Sequence, residues 1–425
     1  MKVTNHGVVI DQSGWPFTAR IARILQAIIC ALSVLFAGLQ ACTAQELSAL
    51  AQLDANGTSF GGAGDEVEIV LALSQPVPWR TRVLADPPRL VMDFREVDFG
   101  AISLVPIMTG QIKAVRAGIF RPGWSRLVLE LDGPRLVTLA EMATGDAKVR
   151  VTVRLGPADA AVFARAAALP EPVAWALPKP LPALPLSRRT SGPMVVVLDP
   201  GHGGIDPGAE ADEQFEAKLM LGFARQLKEL LLREGLFKVV MTRDADVFVP
   251  LETRISIARA ESADVLISLH ADALEEGQAV GAVIYTLSGD ASEAAASTLA
   301  ERHDRDDLLA GVNLAGQDDL VATILMDMAR TETAPRTARL AKALEEAMVS
   351  ADLKMHRVPL QSAGFSVLKS PDIPSVLIEL GFLSSPRDLA RLTDDKWRGR
   401  MAEAIRDGVM IWAQEDAALK GLRQR

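Results

Sequence analysis

Two segments that end in histidine determine the architecture of the longer part of this chain. They are Met194-Val-Val-Val-Leu-Asp-Pro-Gly-His202-Gly-Gly204 and Val265-Leu-Ile-Ser-Leu-His270-Ala-Asp272. Each is a short apolar run typical of a buried strand, and the whole chain has only five histidines. If the two strands lie parallel in one sheet, their carboxyl ends bring both imidazoles to the edge where open α/β sheets build their sites. Two converging imidazoles there predict a metal site.

The residues around these segments predict an α/β domain from Met194 to Arg425. Apolar runs predict strands at 194–198, 238–241, 265–270, 283–287 and 375–380. Helical spacing predicts helices at 216–234 and 251–260, a long helical region at 291–350 interrupted around 311–316, and helices after the last strand. Strands that alternate with helices favour a mostly parallel sheet flanked by helices on both faces.

The preceding part of the chain has a different pattern. Between 47 and 155, short stretches such as Val67–Leu73 and Arg126–Leu131 alternate apolar and polar residues and are separated by Gly and Pro. This pattern predicts an all-β, sandwich-like domain, which we place at 45–156 and interpret as an accessory binding module. Residues 157–193 are rich in Ala and Pro, which is typical of an extended, semi-rigid linker.

The N-terminus has the pattern of a secretory signal peptide at 1–44. Arg20 and Arg23 precede an apolar stretch at 24–39, and small residues follow at 41–44. We expect cleavage after Ala44 and secretion of the mature chain. A membrane anchor is the alternative, but sixteen residues are few for a full span, so no span is expected in the mature chain. Leu39-Gln-Ala-Cys42 also resembles a lipoprotein box.

Composition limits the chemistry that the exported protein can use. Both cysteines, Cys30 and Cys42, lie in the predicted leader, so a metal in the mature chain would need His, Asp or Glu ligands. The net charge of −9 argues against a nucleic-acid partner, because bulk nucleic-acid binding needs a basic face.

A hydrolytic zinc ion takes three such ligands and leaves a fourth position for water. Glu216 suits the third place, because it begins the first predicted helix of the α/β domain, just past the Gly-rich loop. It could instead be a carboxylate favoured by the helix dipole. The nearby acidic residues belong to a polar loop that we expect to be solvated: Asp206, Glu210, Asp212 and Glu213.

A second carboxylate is needed to move protons. Glu379 stands at the end of an apolar strand, where a charge is expensive to bury without a partner, so we interpret it as the general base and acid. Arg243 and Arg254 could bind an anionic substrate, but structural ion pairs explain them equally well. His356 is interpreted as a loop or structural residue.

Four motifs together resemble the zinc-dependent N-acetylmuramoyl-L-alanine amidases of the periplasmic cell-division type. They are Leu198-Asp-Pro-Gly-His-Gly-Gly-Ile-Asp-Pro-Gly-Ala209, Met241-Thr-Arg-Asp-Ala-Asp246, Ser268-Leu-His-Ala-Asp-Ala273 and Phe365-Ser-Val-Leu-Lys-Ser-Pro-Asp-Ile-Pro-Ser-Val-Leu-Ile-Glu-Leu-Gly-Phe382. The resemblance implies one Zn²⁺ ion bound by His202, Glu216 and His270, and Glu379 as the catalytic carboxylate. It also implies cleavage of peptidoglycan between N-acetylmuramic acid and L-alanine during daughter-cell separation. Ala217-Lys218 departs from the usual Glu-Lys pairing, and Ser385 replaces the usual Asn.

Two further segments resemble parts of the same enzymes. Pro87-Pro-Arg-Leu-Val-Met-Asp-Phe94, Val115-Arg-Ala-Gly118 and Arg126-Leu-Val-Leu129 resemble the AMIN module, which implies cell-wall targeting. The helical stretch at about 291–328 resembles the regulatory segment of these enzymes. In them this segment occludes the zinc cleft until an activator protein of the LytM type displaces it. Glu301 and His303 are the side chains expected to plug the site. A surface helical hairpin without a regulatory role is the alternative.

Two other functions stay open at the level of sequence. The chain could be a cell-wall-binding or scaffold protein with an inactive hydrolase domain, although all of the predicted metal ligands are present. It could also be a metallohydrolase acting on a different amide or acyl group.

Overall fold

The computed structural model describes residues 50–121, 123–144, 149–170, 192–274, 279–288, 292, 294–309 and 320–423. Side chains are described for these residues except at 304–309, 320–332 and 420–423. The predicted signal peptide lies outside this set. None of the described helices combines the length and the apolar character that crossing a membrane requires.

The N-terminal domain is a sandwich of two four-stranded antiparallel sheets. Its strands are β1 (Ala51–Gln52), β2 (Ser59–Gly61), β3 (Val67–Leu73), β4 (Trp79–Leu84), β5 (Arg89–Arg95), β6 (Val97–Asp98), β7 (Ile112–Arg121), β8 (Trp124–Leu131), β9 (Arg135–Thr144) and β10 (Val149–Pro157). One sheet has the order β2-β3-β10-β9 and the other β4-β5-β8-β7, while β1 and β6 form a small parallel pair. This confirms the predicted all-β domain.

The period of two in the sequence explains how the two sheets meet. Alternate residues of β3 and β10 from one sheet, and of β5 and β8 from the other, are buried in a single apolar cluster. Because successive side chains of a strand point to opposite faces, each sheet presents one apolar face to the other.

A buried ion pair lies on the opposite face of β5. Asp93 accepts hydrogen bonds from Arg126 Nε at 2.5 Å and from Arg80 Nε at 2.9 Å, and its side chain is only 5% exposed. Burial alone would raise the pKa of Asp93, but the two guanidinium groups outweigh it and hold that pKa below its usual value. Asp93 therefore stays ionised inside the protein.

The predicted linker begins with a helix rather than an extended spacer. Helix α1 (Ala160–Ala167) is capped by Asp159, which accepts hydrogen bonds from the Ala161 and Val162 N–H groups. Phe163 and Ala167 are buried in the core of the β domain. An alanine-rich composition favours helix once a capping residue and an apolar face are present. Residues 171–191 of the predicted linker lie outside the described residues.

The second domain is built on a six-stranded mixed sheet. Its strands are β11 (Met194–Pro200), β14 (Phe237–Met241), β15 (Val265–His270), β16 (Ala282–Leu287), β17 (Met355–Ala363) and β18 (Ser375–Glu379), in the order β14-β11-β15-β18-β16-β17. The first four in that order are parallel, and β16 runs antiparallel to β18. A two-residue hairpin, β12 (Glu210–Ala211) and β13 (Gln214–Phe215), lies outside this sheet. The sheet is thus mostly parallel, as predicted.

Helices cover both faces of this sheet. They are α2 (Glu216–Arg233), α3 (Leu251–Ala260), α4 (Ala294–Leu309), α5 (Leu320–Ser350), α6 (Pro386–Leu392) and α7 (Asp395–Arg423). Along β11, Val196 and Leu198 are buried with α2, α5 and α7, whereas Val195 and Val197 are buried with α3. Strands buried on both faces read as continuous apolar runs, which explains the sequence of β11.

One strand of the six-stranded sheet was not predicted. β17 contains His356, which is therefore a strand residue and not a loop residue. Its Nδ1 lies 3.2 Å from the N–H of Val358. The segment has a proline in its interior and several polar residues, features typical of an edge strand.

We expect Asp93→Asn to destabilise the β domain by about 3 kcal/mol, because it leaves two buried guanidinium groups without their counter-ion. The stability from the carboxylate is present above the unfolded-state pKa of Asp, about 4, and is lost as the pH falls through the lower folded-state value. Urea unfolding at pH 7 and pH 3 measures both effects. Glu68→Gln, which removes the exposed Glu68–Arg154 pair, is the matched control and should leave the midpoint unchanged. Equal midpoints for Asp93→Asn and the parent chain at pH 7 would contradict this.

Candidate metal centre

The strand order brings three predicted site residues to one edge of the sheet. β15 pairs in parallel with β11 on one side and with β18 on the other, and His270 is directly opposite Glu379 in that register. His202 follows β11 by two residues. The rings of His202 and His270 lie 5.0 Å apart, between centroids. The shared edge is the one that the sequence predicts.

Glu216 is the first residue of α2 and its side chain lies between the two imidazoles. Its Oε1 is 3.0 Å from His270 Nδ1 and its Oε2 is 3.2 Å from His202 Nε2. The backbone N–H groups of Ala271 and Ala209 donate to these two oxygens. The carboxylate is fully buried, so these contacts fix its position.

A buried ion pair supports the loop that carries His202. Arg254 donates to Asp199 Oδ1 and to the Pro200 carbonyl, both at 2.8 Å, and to the His202 carbonyl at 2.8 Å. Arg243 donates to the carbonyls of Pro200, Gly201 and Ala217. His202 has a left-handed backbone with φ of 57°, which these bonds stabilise. Both arginines are structural, so the alternative of an anion site is not supported by their contacts.

Asp206 corrects the expectation that the acidic loop is solvated. Its side chain is buried, and its Oδ2 lies 2.7 Å from His202 Nδ1. The contact turns His202 Nε2 toward Glu216, and within the described part of the chain that buried nitrogen has no hydrogen-bond partner. Glu210, Asp212 and Glu213 are exposed, in agreement with the prediction for them.

The charges at this site shift the pKa values in opposite directions. Burial lowers the pKa of His202, but the carboxylates of Asp206 and Glu216 outweigh it and hold that pKa well above its usual value. Burial and the neighbouring His303 lower the pKa of His270 to about 4. Burial raises the pKa of Glu216, but His202 and His270 more than offset this and hold it well below its usual value. Such opposed shifts are typical of functional sites.

Glu379 differs from Glu216 in its surroundings. It is fully buried, one carboxylate oxygen accepts the Asp272 N–H at 2.9 Å, and Oε1 has no hydrogen-bond partner among the described residues. Burial, Glu216 and Asp272 together raise its pKa well above the usual value. A carboxyl group with a raised pKa beside a polar cluster can both accept and return a proton.

Helix α4 brings a third imidazole to the cluster. The His303 ring stacks on His270 with 4.3 Å between centroids and lies 5.6 Å from the His202 ring. The side-chain ligand atoms of His202, His270 and His303 all lie within 4.8 Å of one another, so these three residues could hold a metal ion. Glu301 is exposed and accepts a hydrogen bond from Ser297. Of the two predicted plug residues, only His303 points into the site.

Asp272 is a site residue that the sequence reasoning missed. Its carboxylate accepts a hydrogen bond from Arg302 at 2.8 Å and lies 3.3 Å from His303 Nε2. Asp272 therefore anchors α4 to the metal cluster, which is the group of candidate metal-binding residues His202, Glu216, His270 and His303. Its position two residues after His270, where a buried strand ends, was the available signal.

A buried group of imidazoles and carboxylates at the carboxyl edge of an α/β sheet is typical of a hydrolase and is a candidate metal site. The comparisons with known proteins give the family. The family model described as N-acetylmuramoyl-L-alanine amidase matches residues 196–410, and the AMIN domain model matches residues 58–155. The chain belongs to the N-acetylmuramoyl-L-alanine amidase family and carries an AMIN domain.

Named relatives agree with this assignment. The chain is 32% identical over 376 residues to N-acetylmuramoyl-L-alanine amidase AmiC of Escherichia coli, covering 84% of this chain and 89% of that protein. It is 36% identical over 230 residues to AmiA of Escherichia coli, covering 54% of this chain and 79% of that protein. The solved structure of AmiC2 of Nostoc punctiforme is 25% identical, with a TM-score of 0.39, and covers 53% of this chain and 99% of that chain. The family model and the two curated relatives make the protein a peptidoglycan amidase by family.

Gly201 explains how closely the loop approaches His270. A Cβ at this position would lie 2.3 Å from the His270 ring. We expect Gly201→Ala to destabilise the fold by about 1–3 kcal/mol, because the buried ring must move. Gly222→Ala is the control, since a Cβ there meets nothing within 4 Å and the position is helical. It should be neutral or stabilising by up to about 1 kcal/mol. Urea unfolding of both variants measures this, and an unchanged midpoint for Gly201→Ala would contradict the tight contact.

Proposed function

We propose that this protein hydrolyses the amide between the lactyl group of N-acetylmuramic acid and the L-alanine of the stem peptide, with one zinc ion at the site. The observation that carries the proposal is the position of Glu216 between His202 and His270, with Glu379 beside them at the same edge of the sheet. In this proposal His202, Glu216 and His270 are the zinc ligands and Glu379 is the catalytic carboxylate.

The donor set fits zinc. Two imidazoles and a carboxylate are the ligand types of catalytic zinc sites, which keep one position open. No residue that the structure describes forms a hydrogen bond with the buried His202 Nε2, although an ionised carboxylate lies beside it, and this suits a nitrogen that binds a cation. When bound, zinc polarises the amide carbonyl and favours the ionised forms of water and of nearby carboxyl groups.

The chain's own residues perform the proton transfers. The Asp272 N–H donates to one oxygen of Glu379, while the other oxygen accepts no hydrogen bond from any described residue. Glu379 takes a proton from the attacking water and delivers it to the nitrogen of the departing L-alanine. Asp206 keeps His202 in one orientation throughout.

Two substitutions separate metal binding from proton transfer. We expect His270→Ala to lose both zinc and release of stem peptide from purified sacculi. We expect Glu379→Gln to keep its zinc and to lose roughly a hundred- to ten-thousandfold in rate, because it cannot carry the proton. Metal analysis and mass spectrometry of the products measure the two effects.

The same products distinguish the rival functions. A scaffold protein releases nothing, and a hydrolase of another bond releases fragments other than free stem peptide. Near-normal turnover by Glu379→Gln would refute its assigned role.

We further propose that α4 holds the enzyme in an autoinhibited state. His303 occupies the space beside His202 and His270, and the Arg302 guanidinium is bound by Asp272 and the Ala273 carbonyl. The same face of the helix buries Ala296, Leu299 and Ala300 one and two turns before His303. A fourth ligand from α4 would complete the metal coordination and leave no position for water. Displacement of the helix by an activator protein, proposed to be of the LytM type, would reopen that position.

His303→Ala should raise the basal rate on sacculi by roughly tenfold or more, because removal of the plug shifts the population toward the open site. Glu301→Ala is the matched control on the same helix and should leave the basal rate unchanged, since Glu301 is exposed. Dye release from labelled sacculi measures both rates. Equal rates for His303→Ala and the parent chain would favour a helical hairpin without a regulatory role.

The cellular setting is part of the proposal. The predicted signal peptide at 1–44, the AMIN domain and the similarity to AmiC and AmiA support a periplasmic enzyme. The AMIN domain would bind peptidoglycan and concentrate the enzyme on the wall that separates daughter cells. A Pro-rich linker after α1 would join the two domains.

A further inference from the structure

The AMIN domain contacts the catalytic domain next to the metal cluster. The Ile205 N–H donates to the Ile119 carbonyl of β7 at 3.2 Å, directly beside the loop that carries His202. The rings of Phe120 and Phe248 stack at 5.8 Å between centroids, within an apolar cluster shared by the two domains. Gly118 is required for this approach, because a Cβ there would lie 2.8 Å from the Gly204 carbonyl oxygen.

A cleft of about 860 Å³ lies between the two domains and reaches the metal cluster. Part of β7, together with Ile102 and Ser103 of the AMIN domain, forms one wall, and the loop after His202 forms the other. His202, Asp272 and Arg302 stand at the end of the cleft where the catalytic groups lie. A substrate whose amide is at the metal cluster would therefore extend into a space that the AMIN domain helps to enclose.

The edge strand β7 presents backbone N–H and C=O groups to this cleft. β7 is the outermost strand of its sheet, and its pairing with β8 is regular from Ala114 to Ile119. In an antiparallel strand the N–H and C=O of one residue point to the same side, and the side alternates along the chain. Because Ile119 points its carbonyl at the catalytic domain, Ala117 and Val115 point their backbone groups the same way, and both line the cleft.

These features fit an extended peptide with carboxylate groups. Outward backbone groups of an edge strand bind an extended peptide as an additional strand. Arg116, which lies 3.9 Å from Asp206, supplies a cation on the same wall for carboxylates. A glycan fits less well, because Phe60 is the only aromatic residue among the described lining residues and it is 1% exposed.

We propose that the stem peptide of the substrate lies along β7, so that the AMIN domain forms part of the substrate site in addition to any wall anchoring. The identity of the peptide rests on the proposed amidase function. In this arrangement the L-alanine end is at the metal cluster, the backbone pairs with Val115 and Ala117, and a carboxylate of the peptide faces Arg116.

The test is calorimetric binding of a synthetic stem tetrapeptide (L-Ala-γ-D-Glu-diaminopimelate-D-Ala) to the intact full-length chain. Ala117→Pro should weaken binding roughly tenfold, because it removes an outward N–H and blocks strand addition. The ladder to β8 does not use that N–H, so the sheet should persist. Arg116→Gln should also weaken binding, and Arg116→Lys should restore part of it. The control on the same strand is Lys113→Ala, an exposed residue outside the cleft, which should bind as the parent chain does.

Three results would overturn the assignment: no saturable binding by the parent chain, undiminished binding by both Ala117→Pro and Arg116→Gln, or binding of a peptide-free muramyl disaccharide in place of the tetrapeptide. Circular dichroism and thermal unfolding check that the variants fold. If Ala117→Pro does not fold, the binding of Arg116→Gln and Arg116→Lys tests the proposal. This assay needs no turnover. A failure to release stem peptide from sacculi would count against the proposed function, whereas a failure here counts against the AMIN subsite alone.

Discussion

The buried carboxylate of Glu216 is the constraint on which the rest of the site depends. An ionised group with no solvent exposure is unfavourable unless nearby positive charge and hydrogen-bond donors compensate it. Here two imidazoles and two backbone N–H groups do so. These partners come from the loop after β11 and from the end of β15, so the order of the parallel strands and the start of α2 must all be correct for the cluster to form.

Much of this arrangement was predictable, because apolar runs that end in polar residues mark the carboxyl ends of buried strands. His202, His270 and Glu379 follow from that pattern. The sequence could not show that Asp206 folds back onto His202, since exposed and buried carboxylates look alike in a polar loop. Nor does it give Asp272 its partners, which come from α4, about thirty residues further along the chain.

Helix α1 and the contact between the two domains show the same limit. An alanine-rich segment before prolines is compatible with a spacer, and only the apolar pocket that receives Phe163 makes it a helix. The approach of β7 to the loop after His202 depends on backbone shape at Gly118 and Gly204. Residue types say little about contacts that backbone atoms make, so the cleft between the domains could not be predicted from the sequence.

His303 is proposed to complete a metal site formed by His202, Glu216 and His270. X-ray absorption spectroscopy of the zinc-loaded full chain tests this proposal most directly, because it counts the imidazole ligands of the ion. If His303 is a ligand, the ion in the parent chain has three imidazole ligands and one carboxylate ligand. In His303→Ala the number of imidazole ligands falls to two. The same ligand count in both proteins would contradict it.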